Sequence, residues 1–153
     1  MSDAAAYPGA VPEPKVTVRR FVAFAALVFG MFMAILDIQI VASSLAEIQA
    51  GLSAAPQEIA WVQTSYLIAE VIGIALSGFL GRALGTRLLF TLAALMFCLC
   101  SALCALAWDL GSLVVFRALQ GFFGASMIPT TVATIFLIFP QRLQMAANAA
   151  MGF

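Results

Sequence analysis

Residues 112–139 read SLVVFRALQGFFGASMIPTTVATIFLIF, an apolar run with one charge, Arg117, inside it. A charge at the centre of a membrane helix costs about 2.5–3.5 kcal/mol on insertion scales. Such a residue persists where it faces a protein interior or a water-filled cavity. Two other apolar runs carry a carboxylate each, Asp37 in 21–44 and Glu70 in 59–80. Three ionisable groups on three such segments point to a pathway for ions or solutes.

Composition supports a lipid setting for these runs. Of 153 residues 64% are apolar and 9% charged, against roughly 45–50% and 25% in a soluble domain. Seven basic and seven acidic residues balance to zero, which leaves no basic patch to hold nucleic acid. Histidine is absent, removing the commonest general base and metal ligand. No enzyme and no metal site is expected. Cys98, Cys100 and Cys104 fall in one apolar run and read as small oily residues, with no further ligand to complete a site.

Working outward, the pattern predicts an all-α integral membrane protein with four spans, at about 21–44, 59–80, 88–107 and 112–139. Each approaches or exceeds the ~20 residues that cross ~30 Å of hydrocarbon. Residues 1–18 read as a disordered tail, and 19–153 as a transmembrane bundle. The joints are short: AEIQAGLSAAPQE at 46–58, GRALGTR at 81–87 and WDLG at 108–111. The chain turns apolar again from Met145, the expected start of a fifth helix and of a longer protein. Lys15, Arg19, Arg20, Arg82, Arg87 and Arg142 fall on one side of this arrangement, while the opposite joints hold Glu47, Glu58 and Asp109. Positive charge collects on the cytoplasmic side, so the amino terminus is expected there.

Along span 2, Gln63, Tyr66, Glu70, Gly73 and Ser77 recur at steps of three and four, placing a polar and small stripe on one helix face. In lipid that face turns toward other helices or water. Gly73 and Ser77 also suit plain tight packing; a carboxylate does not. Asp37 lies about 16 residues into span 1, roughly 24 Å along it, and Arg117 about 8 Å from the start of span 4. Both fall in the outer half of the membrane, with Glu70 near mid-depth. Desolvation strengthens a carboxylate's hold on its proton and a nearby arginine weakens it. A change in either between two states makes a proton switch; a fixed Asp37–Arg117 pair joining two helices is the structural alternative. Gly121, Gly124 and Ala125 allow close helix approach, and Pro129 bends span 4. Gly81-x-x-x-Gly85 lies at the membrane edge and reads as a tight turn.

Three segments resemble the major facilitator superfamily, and within it the drug:proton antiporters of the EmrB/QacA type. AILDIQIVASSLAEI (34–48) is similar to the family's LDxTIVNVALPxI segment, SGFLGRALGTRLLF (77–90) to its GxLADRxGRR joint, and FRALQGFFGASMIP (116–129) to its RxxQGxGxxxxxP pattern. The likeness runs from about residue 20 to the end. It departs at Arg82, where aspartate is usual, at Thr86, where a basic residue is usual, and at Gln39, Ala42, Ser43, Ser44 and Ala46 in span 1.

The resemblance implies the amino-terminal part of a half-bundle whose remaining helices lie outside this sequence. It implies that Asp37 and Arg117, with Glu70 in the same cavity, couple protons to substrate movement. Gly78, Gly85 and Arg87 would belong to a cytoplasmic gating joint, and Gln120, Gly121, Gly124 and Pro129 to the conformational motif of span 4. The expected function is proton-coupled efflux of drugs or other amphiphiles by alternating access in a bacterial inner membrane, driven by the proton gradient without a cofactor. A periplasmic adaptor and an outer-membrane channel are the implied partners. The rival readings are a superfamily exporter of another substrate class and a four-span protein that oligomerises on its own.

Overall fold

In the computed structural model, residues 17–138 are described, together with Gln144, Met145 and Ala149. The described elements are helices: α1 (Val18–Ser43), α2 (Leu45–Leu52), α3 (Pro56–Leu84), α4 (Thr86–Ala105), α5 (Leu110–Ala125) and α6 (Met127–Ile138). Four segments are long and apolar enough to cross a membrane: Phe21–Ser43, Pro56–Leu84, Thr86–Ala105 and Leu110–Thr134. The tail expected over 1–18 and the fifth helix expected from 145 lie almost wholly outside the described residues.

Each boundary has a local cause. At the end of α1 the Ser44 N–H and the hydroxyls of Ser43 and Ser44 all donate to the Ile40 carbonyl, at 3.0, 2.8 and 2.9 Å. Serine hydroxyls thus replace the helical ladder and the chain redirects. What the sequence suggested was a plain joint at 46–58 contains α2, whose Leu45, Ile48 and Leu52 pack on Ile59, Val62 and Leu113. Eight residues with a three-to-four apolar spacing gave too short a pattern to read. Ser53, left-handed at φ +50°, ends α2.

Pro56 is not in the joint, where the sequence reading put it, but opens α3, where its missing N–H costs nothing. Glu58 accepts the Ala55 N–H at 3.1 Å. The 81–87 joint is likewise shorter than read: α3 continues through Leu84, and the reversal rests on Gly85 alone, at φ +80°.

Asp109 caps α5: its Oδ1 accepts the Ser112 N–H at 3.0 Å, and the Asp109 N–H donates to Ser112 Oγ at 3.3 Å. The Ser112 hydroxyl beside it, and then the Ser112 amide, hold the exposed Asp109 carboxylate below its ordinary range. A lowered native value means the cap stabilises the helix start above the unfolded carboxylate range and is lost as pH falls through the native value. Asp109→Ala is therefore expected to reduce amide protection over Leu110–Leu113 at neutral pH. Acidification should do the same in the unmodified chain, and equal protection in both chains at neutral pH would refute the cap.

Span 4 is interrupted. The α5 helix stops at Ala125, Ser126 bonds back to the Phe123 carbonyl at 3.2 Å, and α6 restarts at Met127. Pro129 explains the place, because its ring excludes the carbonyl four residues earlier, that of Ala125. Thr130, Thr131 and Thr134 hydroxyls then donate to the carbonyls of Ser126, Met127 and Thr130 at 2.6–2.7 Å, satisfying backbone that lipid could not.

The segment Leu110–Thr134 is the centre of the bundle, with 44% of its apolar window buried against 11–22% for the others. Helix α3 runs along α5, and α1 and α4 pack on α6. Ala34, Ala93, Phe97 and Met127 form the core between α1, α4 and α6. The large apolar side chains left exposed, among them Phe29, Phe32, Val71, Phe79 and Leu95, cover the bundle's outside.

Candidate functional site

Arg117 enters from α5, two turns past the Asp109 cap, and Gln120 follows three residues later on the same face. Asp37 faces them from α1. Arg117 Nη1 donates to Asp37 Oδ2 at 2.5 Å and to Gln120 Oε1 at 2.6 Å, and Gln120 Nε2 donates to Asp37 Oδ1 at 3.0 Å. Both carboxylate oxygens are engaged, closing a ring of three side chains. The Arg117–Asp37 contact is the one ion pair among the described residues. Arg117 and Gln120 are each 1% exposed, while the Asp37 side chain keeps 19%. Asp37 is thus the member of the ring that faces outward.

The third wall is α3. The Arg117 guanidinium lies over the Tyr66 ring, 4.2 Å from its centroid, a cation–π contact that gains strength where water is excluded. A Cβ on Gly121 would run into the Tyr66 backbone carbonyl, and one on Gly73 would meet the Phe122 carbonyl oxygen at 2.5 Å and Ala125 Cβ at 2.7 Å. Two glycines, one per helix, bring α3 and α5 close enough for the stack. Ser65 adds a cross-helix hydrogen bond, its Oγ donating to the Val114 carbonyl at 3.2 Å.

Around this ring several polar atoms are buried without a hydrogen-bond partner among the described residues: Arg117 Nε and Nη2, the Tyr66 hydroxyl and Gln63 Oε1. Arg117 therefore spends one nitrogen on Asp37 and Gln120 and keeps two uncommitted. A cavity of about 460 Å³ adjoins, lined by Asp37, Arg117, Gln120 and Cys104 and by Ile48 and Leu52 of α2. Such a site can offer hydrogen bonds from Arg117 to a group in the cavity.

Of the residues singled out from the sequence, the structure brings Asp37, Arg117 and Gln120 together and leaves Glu70 apart. Glu70 is half-buried on α3 and makes no hydrogen bond or ion pair with a described residue. Gly124 accommodates the Phe97 ring, at 3.1 Å from a hypothetical Cβ. Gly85 makes the α3–α4 turn, Arg87 is exposed just past it, and Gly78 faces open space. Pro129 lies one turn past the Ala125–Ser126 break.

Gln120 is singled out by the span 4 motif but not for its contact, and Cys104 is not singled out at all. Gln120 bridges the charged pair, for which its i+3 spacing from Arg117 was the available signal. The Cys104 thiol donates to Gln120 Oε1 at 3.7 Å, whereas the cysteines read as apolar filler. Among the described residues no three His, Cys, Asp or Glu side chains converge as for a metal ion.

With this geometry established, sequence comparison adds kinship. Residues 27–153 match the Major Facilitator Superfamily. Over 118 residues, 77% of this chain and 23% of the relative, the sequence is 58% identical to the colistin resistance protein EmrB of Acinetobacter baumannii. It is 38% identical over 120 residues to the fatty acid resistance protein FarB of Neisseria gonorrhoeae, covering 78% of this chain and 24% of FarB. Multidrug resistance protein 3 of Bacillus subtilis is 34% identical over 126 residues, 82% of this chain and 24% of that protein. The chain spans about a quarter of the length of these curated relatives.

Proposed function

The chain belongs to the major facilitator superfamily, a family of multi-pass membrane transporters rather than enzymes, and from that premise we propose that it forms the amino-terminal helices of a proton-coupled exporter of amphiphilic molecules. The observation that carries the reading is the Asp37–Arg117–Gln120 ring, buried where α1, α3 and α5 meet and opening on a cavity through Asp37. The relatives are named for resistance to colistin, to fatty acids and to multiple drugs, which supports an export role.

The mechanism follows from charge. A proton arriving at Asp37 neutralises the carboxylate and removes the ion pair that joins α1 to α5. Arg117, still charged and stacked on Tyr66, is then free to change partners, and the helices to change their packing. Loss of the proton to the other side restores the pair. Repeats that rock about a central cavity turn this local event into alternating access, with the proton gradient as the energy source and no cofactor. In this reading the protein sits in a bacterial inner membrane with its amino terminus in the cytoplasm, and a periplasmic adaptor and outer-membrane channel extend the route. Gly85 and Arg87 belong to the gating joint, and the Pro129 break lets α6 move against α5.

The test is made in the complete protein. Asp37→Asn is expected to reduce proton-driven dye efflux roughly tenfold or more, the equivalent of about 1.4 kcal/mol or more of coupling. Glu70→Gln, outside the ring, is expected to retain efflux with altered substrate preference. Efflux that survives Asp37→Asn and collapses with Glu70→Gln would transfer the proton to Glu70; efflux that survives both would end the coupling reading.

A further inference from the structure

We propose that Cys104 is a positioning residue for the proton site: its thiol holds the Gln120 amide in the one orientation that serves both Arg117 and a charged Asp37. Under the proton-coupling reading, on which this role rests, a fourth side chain from α4 joins a ring built by α1 and α5. The Cys104 thiol donates to Gln120 Oε1 at 3.7 Å, and the same oxygen accepts from Arg117 Nη1 at 2.6 Å. The other end of the amide, Nε2, donates to Asp37 Oδ1 at 3.0 Å. Of the three cysteines in α4, only Cys104 has its thiol on a described polar side chain.

The chemistry of the amide admits one arrangement. Its oxygen only accepts and its nitrogen only donates, a guanidinium only donates, and a carboxylate only accepts. An amide turned over would set N–H against N–H at Arg117 and oxygen against oxygen at Asp37. While Asp37 is charged, those two partners enforce the orientation. Once Asp37 carries a proton it can donate as well as accept, so it no longer tells the two ends of the amide apart, and Arg117 is released. Cys104 then remains on Oε1, from a helix that takes no part in the ion pair. Turned over, the amide would leave its N–H groups on sulfur, a weak acceptor, and the ring would have to be rebuilt before Arg117 could return. The thiol thus keeps the amide ready to receive the carboxylate when the proton leaves.

Burial makes the thiol hard to replace. Gln120 is 1% exposed, and a buried amide oxygen takes its partners from the protein. The contact is internal to α4 and α5, so it does not depend on an open face of the bundle. No other group around Asp37 is placed to take over. Arg117 reaches it from α5, and Tyr66 of α3 lies under the guanidinium. Glu70, four residues further along α3, makes no ion pair with a described residue. On α2 the one acid, Glu47, is exposed. At this depth α4 offers Cys100 and Cys104, and α6 carries no titratable side chain.

Infrared spectroscopy of the complete protein tests the role, read on the carboxylic acid band that Asp37→Asn abolishes. Removing the thiol loosens the amide that donates to the carboxylate, and a charged form that loses a hydrogen bond is more easily protonated. Cys104→Ala is therefore expected to raise the pH at which the band disappears. The proton should be bound roughly two- to tenfold more tightly, the range of one net hydrogen bond. Cys100→Ala, one turn away on the same face and 2% exposed, should leave the band in place. With Cys104 as the last thiol in the chain, its S–H stretch should rise in frequency when Gln120→Leu removes the acceptor. An equal shift of the band in Cys100→Ala, or an S–H stretch that ignores Gln120→Leu, overturns the role. So does a titrating band that Cys104→Ala does not move, and this leaves the proton reading intact. No Asp37 band at any pH overturns the proton reading and the role together. Unchanged helix content in each variant, read by circular dichroism, separates loss of the contact from loss of the fold.

Discussion

Arg117→Leu is expected to destabilise the chain by about 3 kcal/mol or more, with Asp37→Leu close behind. Removing one partner of a buried ion pair costs about 3–5 kcal/mol, because the other charge stays buried without compensation. Arg117 is 1% exposed, so Asp37→Leu strands a guanidinium with only Gln120 Oε1 to accept from it. The reverse change strands a carboxylate that keeps one donor, Gln120 at 3.0 Å, and 19% exposure. It also removes the Arg117–Tyr66 stack at 4.2 Å, worth about 0.5–2 kcal/mol more, which ranks it first. The double variant Asp37→Leu/Arg117→Leu should recover much of the loss, since an apolar pair of similar volume is often neutral or better than a buried ion pair. A double-mutant cycle on unfolding in mixed micelles reads this as a coupling of about 0.5–3 kcal/mol. Single losses below about 1 kcal/mol that simply add would mean the pair is not held in the folded chain. The same cycle bears on function. A pair that is costly to break singly but dispensable together is one retained for something other than stability.

Gly121→Val should be the second severe change, by about 3 kcal/mol, the upper end of overpacking penalties. The atom in the way is the Tyr66 backbone carbonyl. Backbone cannot rotate aside as a flexible side chain can, so α3 and α5 must separate along their length. Separation would pull Tyr66 off Arg117 and loosen the ring. Gly73→Val should behave alike, its neighbours being the Phe122 carbonyl oxygen and Ala125 Cβ. Gly78→Ala supplies the contrast: a Cβ there meets nothing within 4 Å, and alanine in a helix interior gains about 0.5–1 kcal/mol over glycine. Melting curves of the three chains should order them Gly78→Ala above the unmodified protein and the two valine variants well below. A Gly121→Val chain that melts with the unmodified one would show that α3 and α5 do not approach this closely.

The apolar runs and their interruptions were legible without coordinates. Long stretches of apolar residues around Arg117, Asp37 and Glu70 have one low-energy fate, membrane helices with the charges turned inward, because lipid tolerates neither exposed backbone nor unpaired charge. Pro129 announced a bend for a reason that is also local, its missing N–H and its ring. The helix α2 and the early start of α3 were not legible, because a two-turn helix has too few residues to establish a period and a proline marks a helix start as readily as a loop.

What the sequence by itself determined is therefore the class of fold and the short set of ionisable residues inside its apolar runs. The contacts themselves were decided only in the tertiary structure. Asp37 and Glu70 are both carboxylates in apolar runs; helix rise already set Asp37 level with Arg117 and Glu70 deeper, and the pair forms, but depth alone does not bring side chains into contact. The rest lies in helix rotation and close approach: Gly73 and Gly121 let α3 and α5 approach until Tyr66 covers the guanidinium face, which leaves the guanidinium edge to Asp37 of α1. Gln120 and Cys104 join for the same reason, since a hydrogen bond depends on a few tenths of an ångström that no spacing along a chain records.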